Sequence, residues 1–70
     1  MNNDFKEVYN TLKNLIDSDV TAYQIEKETG VSRAKIGRLK NNINSFKNLS
    51  LETAEKLYNY QKELERNNKN

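Results

Sequence analysis

Residues 21–42, TAYQIEKETGVSRAKIGRLKNN, spell two short helices meeting at a glycine. Thr21 stands where a hydroxyl caps a helix, and a helix of roughly Ala22 to Thr29 follows it. Gly30 falls just past that helix, where φ turns positive and only glycine adopts it cheaply. Val31 is apolar and tucks back under the turn. Ser32 caps a second helix, Arg33 to about Lys40. There Ile36 and Leu39 lie three apart and face inward. Arg33, Ala34, Gly37 and Arg38 lie away from that side, with Lys35 at the flank. Cap, helix, glycine, apolar residue, cap, helix is the order of a helix-turn-helix.

Charge singles out the same stretch. Between Glu28 and Glu52 there is no acidic residue, while Arg33, Lys35, Arg38, Lys40 and Lys47 contribute five positive charges. The whole chain holds 12 basic and 10 acidic residues, so the remainder has 7 basic and 10 acidic. A cationic segment in an otherwise mildly acidic chain is either the footprint of a phosphate-binding face or a solvated face on which charges cluster by accident, and charge alone does not choose between them.

The flanking sequence reads as further helices. Phe5, Val8, Tyr9, Leu12, Leu15 and Ile16 form one stripe of period 3.6. Asp4 with Glu7 resembles a capping box at its start, and Asp17-Ser18-Asp19 is a turn-forming cluster at its end. After the second short helix, Asn41-Asn42 provides a stop, since asparagine tolerates the left-handed conformation. A loop through Asn44, Ser45, Lys47 and Asn48 is pinned by Ile43, Phe46 and Leu49. Ser50 caps a last helix, Leu51 to about Glu65, whose apolar side holds Leu51, Ala54, Leu57, Tyr58 and Leu64. No segment alternates with period 2. The expected fold is all-α, a compact bundle of four to five short helices. Residues 1–66 form one domain and 67–70 a disordered polar tail.

Composition closes off other functions. Seventy residues bury only about 60% of the surface exposed when unfolded, which leaves little room for an enclosed active site. There is no Cys and no His. A disulfide framework, a thiolate metal site and the commonest general base are therefore missing. Without paired buried carboxylates either, an enzyme is not expected. Neither is a metal, a cofactor or a small-molecule effector. No apolar run approaches the ~18 residues of a membrane span. The first residues show neither a basic region nor an apolar stretch of a secretory signal, so a cytoplasmic protein is expected.

An α-helix fits the major groove of B-DNA, where base edges carry a distinct donor and acceptor code. Side chains near the start of the second helix are placed to read it. Arg33 reaches guanine O6 and N7, Ala34 a thymine methyl, Lys35 a base edge or phosphate, and Arg38 a base or phosphate. Gly37 permits close approach to the duplex. Ser32 acts mainly as a cap, although a helix N-terminus also holds phosphate.

Residues 21–42, with TGVSRAKI as their most diagnostic piece, resemble the helix-turn-helix of the Cro/lambda-repressor family of phage and plasmid regulators of bacteria. NLSLETAEKLYNY resembles the fourth helix of that family, so the likeness covers roughly residues 5 to 60. It implies a lambda-repressor-like fold and base readout by Arg33, Ala34, Lys35 and Arg38. It places backbone contacts at Thr21, Ala22, Tyr23, Asn41 and the loop around Asn44 and Lys47. Three positions depart from the pattern. Ala22 replaces a glutamine that braces a phosphate contact, so either Tyr23 or Gln24 takes over or the contact is absent. Glu26 stands where a small residue is usual and must extend outward, toward neighbours of Lys27 or toward Arg33. Thr29 replaces an aliphatic residue and thins the core.

The resemblance further implies a dimer on an inverted-repeat operator, acting as a transcriptional autorepressor of a phage or mobile-element operon, nucleoid-associated in the bacterial host. Leu57, Tyr60 and Leu64, at 0, +3 and +7 on the last helix, either form a narrow seam for subunit contact or leave Leu57 and Leu64 to finish the monomer core, with Tyr60 a lone exposed aromatic. Two alternatives use the same helices. One is the N-terminal part of a larger, anti-CRISPR-like inhibitor; the other is an antitoxin-like protein-interaction module.

Overall fold

The computed structural model describes residues 4–67, without the side chains of Asp4, Ile43 and Asn44. Four α-helices and one 3-10 helix account for most of them. These are α1 (Asp4–Asp17), α2 (Ala22–Thr29), α3 (Arg33–Asn41), the 3-10 turn η1 (Ile43–Asn48) and α4 (Leu51–Asn67). The fold is all-α, and no strand occurs among the described residues. No helix is long and apolar enough to cross a membrane among those residues.

Helix boundaries follow local chemistry. Thr21 Oγ1 accepts from Gln24 N at 3.1 Å, Ser32 Oγ from Lys35 N at 3.2 Å, and Ser50 Oγ from Thr53 N at 3.1 Å. Each cap satisfies an amide that the first helical turn leaves unpaired, an effect of about 1 kcal/mol. At the end of α1, Ser18 Oγ donates to Leu15 O at 2.6 Å and accepts from Val20 N at 3.2 Å. Gly30 ends α2 at φ 82°, the one positive φ among the described residues, and its N–H reaches Glu26 O at 2.8 Å.

Nine side chains make the core: Leu12, Leu15 and Ile16 of α1, Ile25 of α2, Val31 of the turn, Ile36 and Leu39 of α3, Phe46 of η1, and Leu57 of α4. Every helix contributes, so none buries its apolar stripe alone. Helix α1 packs chiefly on α4, while α3 packs on α2, α1 and η1. Burial of each Leu or Ile contributes roughly 1.5–3 kcal/mol, so α3 is anchored by Ile36, at 0% exposure, and Leu39, at 3%.

Several expectations require correction. Phe5, Tyr9 and Leu51 belong to apolar stripes yet are exposed at 67%, 45% and 79%. A stripe is buried only as far as neighbouring helices cover it, and these residues sit toward the beginnings of α1 and α4. Asn42 does not end α3 in the left-handed region. Its φ of −143° and ψ of 102° are extended, and its N–H reaches Arg38 O instead. The segment after it is a 3-10 turn rather than an irregular loop. Helix α4 continues to Asn67, the first residue of the expected tail. The expected Asp4 cap and the tail residues 68–70 lie outside the described side chains and residues.

Candidate nucleic-acid interface

Helix α3 carries the candidate surface, and two side chains, one before it and one in its last turn, hold it in place. Thr29 braces the turn before it. The threonine hydroxyl donates to Ile25 O at 2.7 Å and accepts from Val31 N at 3.1 Å. The residue expected only to thin the core thus spans the bend with two hydrogen bonds. Lys40 secures the far end, where its Nζ donates to Ile16 O at 2.9 Å. That carbonyl belongs to the last turn of α1, where backbone acceptors lack helical partners and a cation is favoured. No local sequence signal announces this contact, because the two residues are 24 positions apart.

With Ile36 and Leu39 buried, Arg33, Ala34, Lys35 and Arg38 are all exposed, and Gly37 is half-buried. The four expected base readers therefore share the solvent side of one helix. Lys35 and Arg38 make no ion pair among the described residues, and neither does Lys47 on η1. Lys35 and Arg38 also line a recess of about 100 Å³ between α3 and η1, together with Ser45 and Asn48. The resemblance points to Asn44 and Lys47 in this segment, not to Ser45 and Asn48. The short 3-10 turn, invisible as a pattern, turns them toward α3.

Arg33 is not the free cation its position suggests. Its Nε lies 2.8 Å from Glu26 Oε1, and its guanidinium stands over the Tyr23 ring, 5.4 Å from the centroid. The Arg33 side chain is nevertheless 60% exposed, and that of Glu26 36%. Tyr23 and Glu26 are three apart on α2, so they share the side that meets the start of α3. The outward extension expected of Glu26 ends on Arg33, one of the two destinations open to it.

The expected backbone contacts occupy two edges of this surface. Thr21 and Tyr23 are exposed at the start of α2, Ser32 at the start of α3, and Asn41 at its end. Thr21 and Ser32 use their oxygens as caps, which leaves their hydroxyl protons free to donate. Ala22 is half-buried and packs against the core, so only its backbone is available. Lys47 is exposed on η1, whereas the side chain of Asn44 lies outside the described set.

The expected subunit seam changes most. Leu57 has 0% exposure and is sealed inside the monomer, so it offers no surface to a second copy. Tyr60 and Leu64 are half-buried and line a cleft of about 540 Å³ between α2 and α4, with Gln24 and Glu28 on the opposite wall. No group of three or more metal-ligating side chains occurs among the described residues.

No protein-family model, curated protein or solved structure matches the chain. Its fold defines a small all-α bundle in which a capped pair of helices, joined through a glycine turn, presents the second helix to solvent.

Proposed function

We propose that this protein binds double-stranded DNA sequence-specifically by setting α3 in the major groove, and that it acts as a dimeric transcriptional repressor of a phage or mobile-element operon. The observation that carries this reading is the outer side of α3. Lys35 and Arg38 stand there with no acidic partner among the described residues, on a helix held from beneath by Ile36 and Leu39. Cations that the protein itself does not neutralise attract phosphate, and a rigid helix carries them into a groove of matching width.

Arg33, Ala34, Lys35 and Arg38 read bases in this arrangement. Thr21, Tyr23, Ser32, Asn41 and Lys47 contact the backbone, with Ser45 and Asn48 added to them. A single module of this size buries only about 600–1,000 Å² on DNA, so two copies on an inverted repeat supply the affinity. The molecule measures 35 × 32 × 19 Å. Two copies side by side thus suit half-sites about 34–36 Å apart. Tyr60 and Leu64 supply the subunit contact.

The test is selection of duplexes from a randomised pool, followed by gel-shift titration of the winner over a series of salt concentrations. The expected result is one enriched inverted repeat bound by two chains, with log affinity falling linearly against log salt. Lys47→Ala should make that slope shallower by about one unit. A pool that never enriches, or binding indifferent to salt, overturns the reading.

A further inference from the structure

We propose that Glu26 and Tyr23 are positioning residues that fix Arg33 for recognition of the O6 and N7 edge of a guanine, so that the site of this protein contains a G·C pair read by Arg33. This inference rests on the DNA-binding reading above and assigns a specificity to it.

The argument starts from the guanidinium. It is planar and has five N–H donors in fixed directions. Glu26 Oε1 forms an ion pair with it, 2.8 Å from Nε. The Arg33 Cζ stands over the Tyr23 ring, 5.4 Å from the centroid. A carboxylate at Nε and an aromatic ring facing Cζ together narrow the positions open to the group. The side chain remains 60% exposed, so the protein does not enclose it. Nη1 and Nη2 together form the fork that pairs with O6 and N7 of guanine. An arginine held beforehand loses less rotamer freedom when it binds than one that swings free.

Charge decides between this role and a simpler one. If Arg33 served to attract phosphate, a carboxylate at 2.8 Å would work against it by cancelling its field. Lys35, Arg38 and Lys47 show what an unopposed phosphate-attracting set looks like, for none has an acidic partner among the described residues. A base edge carries no net charge. There the direction of two donors matters more than the size of the positive potential, and a flanking carboxylate aids by holding them. The pair is not explained by stability either, since an ion pair this exposed contributes little to folding.

The experiment uses the full chain and the duplex selected from the randomised pool. Binding is measured for the wild type, Arg33→Ala, Glu26→Ala and Glu26→Gln, each on the selected duplex and on copies with 7-deazaguanine at one guanine at a time. That base lacks the N7 acceptor. One position should show a penalty of about tenfold in the wild type. Arg33→Ala should abolish that penalty. Glu26→Ala should remove most of it and leave discrimination at the other positions intact, whereas Glu26→Gln, which retains an oxygen for Nε, should restore much of it. Thermal unfolding of the variants should stay near that of the wild type, a result that separates orientation from folding.

Three outcomes overturn the proposal. A guanine penalty that survives Glu26→Ala shows that Arg33 needs no positioning. Equal tightening of Glu26→Ala on every duplex shows that Glu26 only repels phosphate. A selected site with no N7-dependent guanine shows that Arg33 does not read one. In all three the DNA-binding reading stands, while failure to enrich any duplex overturns both.

Discussion

The exposed sides of α3 and α4 are both charged, and they differ in what answers the charge. On α4, Lys56 lies 3.8 Å from Glu52, Lys62 lies 3.6 Å from Glu65, and Gln61 donates to Glu65 at 2.9 Å. Lys62 also stands over the Tyr58 ring at 5.6 Å. Such contacts at three- and four-residue spacing are the ordinary dress of a solvated helix and contribute a few tenths of a kcal/mol each. On α3 there is no acidic residue at all, and of its cations only Arg33 has an acidic partner among the described residues, reached across the turn on α2. A charged helix is therefore uninformative until its partners are known. One side balances itself, and on the other Lys35 and Arg38 have no acidic partner among the described residues.

The strongest way to break this contrast is charge reversal on each helix. Lys35→Glu together with Arg38→Glu should weaken binding to the selected duplex by roughly a hundredfold or more, as attraction to phosphate turns to repulsion. Lys56→Glu with Lys62→Glu adds the same charge to α4 and should cost only severalfold in 0.15 M salt, where the Debye length is about 8 Å. Equal losses in a gel-shift titration would mean that overall charge, rather than α3, governs affinity.

A second comparison tests how α3 is aimed. Gly30→Ala places a Cβ where nothing lies within 4 Å, so the substitution meets no neighbour. Its effect is the backbone strain of an alanine at φ 82°, about 1–2 kcal/mol. For a domain of this size that lowers the melting temperature by several degrees, as calorimetry would show. Lys40→Met should come next, at about 1 kcal/mol, because it removes the hydrogen bond to Ile16 O while keeping the length of the side chain. Stability indistinguishable from the wild type in denaturant titration would mean that the contact with Ile16 O does not hold Lys40, and would place it with Lys35 and Arg38, which have no acidic partner among the described residues.

Gly37→Ala is the smallest change and the sharpest. A Cβ at this position also meets nothing within 4 Å, but Gly37 sits inside α3 with ordinary helical φ. Alanine should stabilise the free protein by about 0.5–1 kcal/mol through helix propensity. If α3 lies against a duplex there, the same methyl weakens binding. A rise in melting temperature with unchanged affinity would move Gly37 away from the contact surface.

Much of this architecture was legible along the chain, for reasons confined to a few residues. Thr21, Ser32 and Ser50 cap helices because a hydroxyl reaches an amide three residues on, and Gly30 turns because it lacks a Cβ. Ile36 and Leu39 were readable as inward from their spacing. The candidate surface was legible to the same extent, since outward positions follow once inward ones are set. The ends of α1 and α4 were not. Phe5 and Leu51 satisfy the periodicity of buried residues, and periodicity gives a direction without saying how far the neighbouring helix extends. Leu57 was ambiguous in another sense, because the same spacing suits a monomer core and a subunit seam, and its burial decides for the core.

The amino-acid order alone thus determined an all-α chain, its caps and bend, and a cationic segment without an acidic residue, since each depends on groups a few positions apart. Folding in three dimensions decided the rest. It brought Glu26 and Tyr23 onto Arg33, Lys40 onto the end of α1, and Ser45 and Asn48 beside Lys35 and Arg38. Those contacts depend on how helices cross and where a 3-10 turn points a side chain. Such angles are set by the packing of the whole core, not by any local stretch.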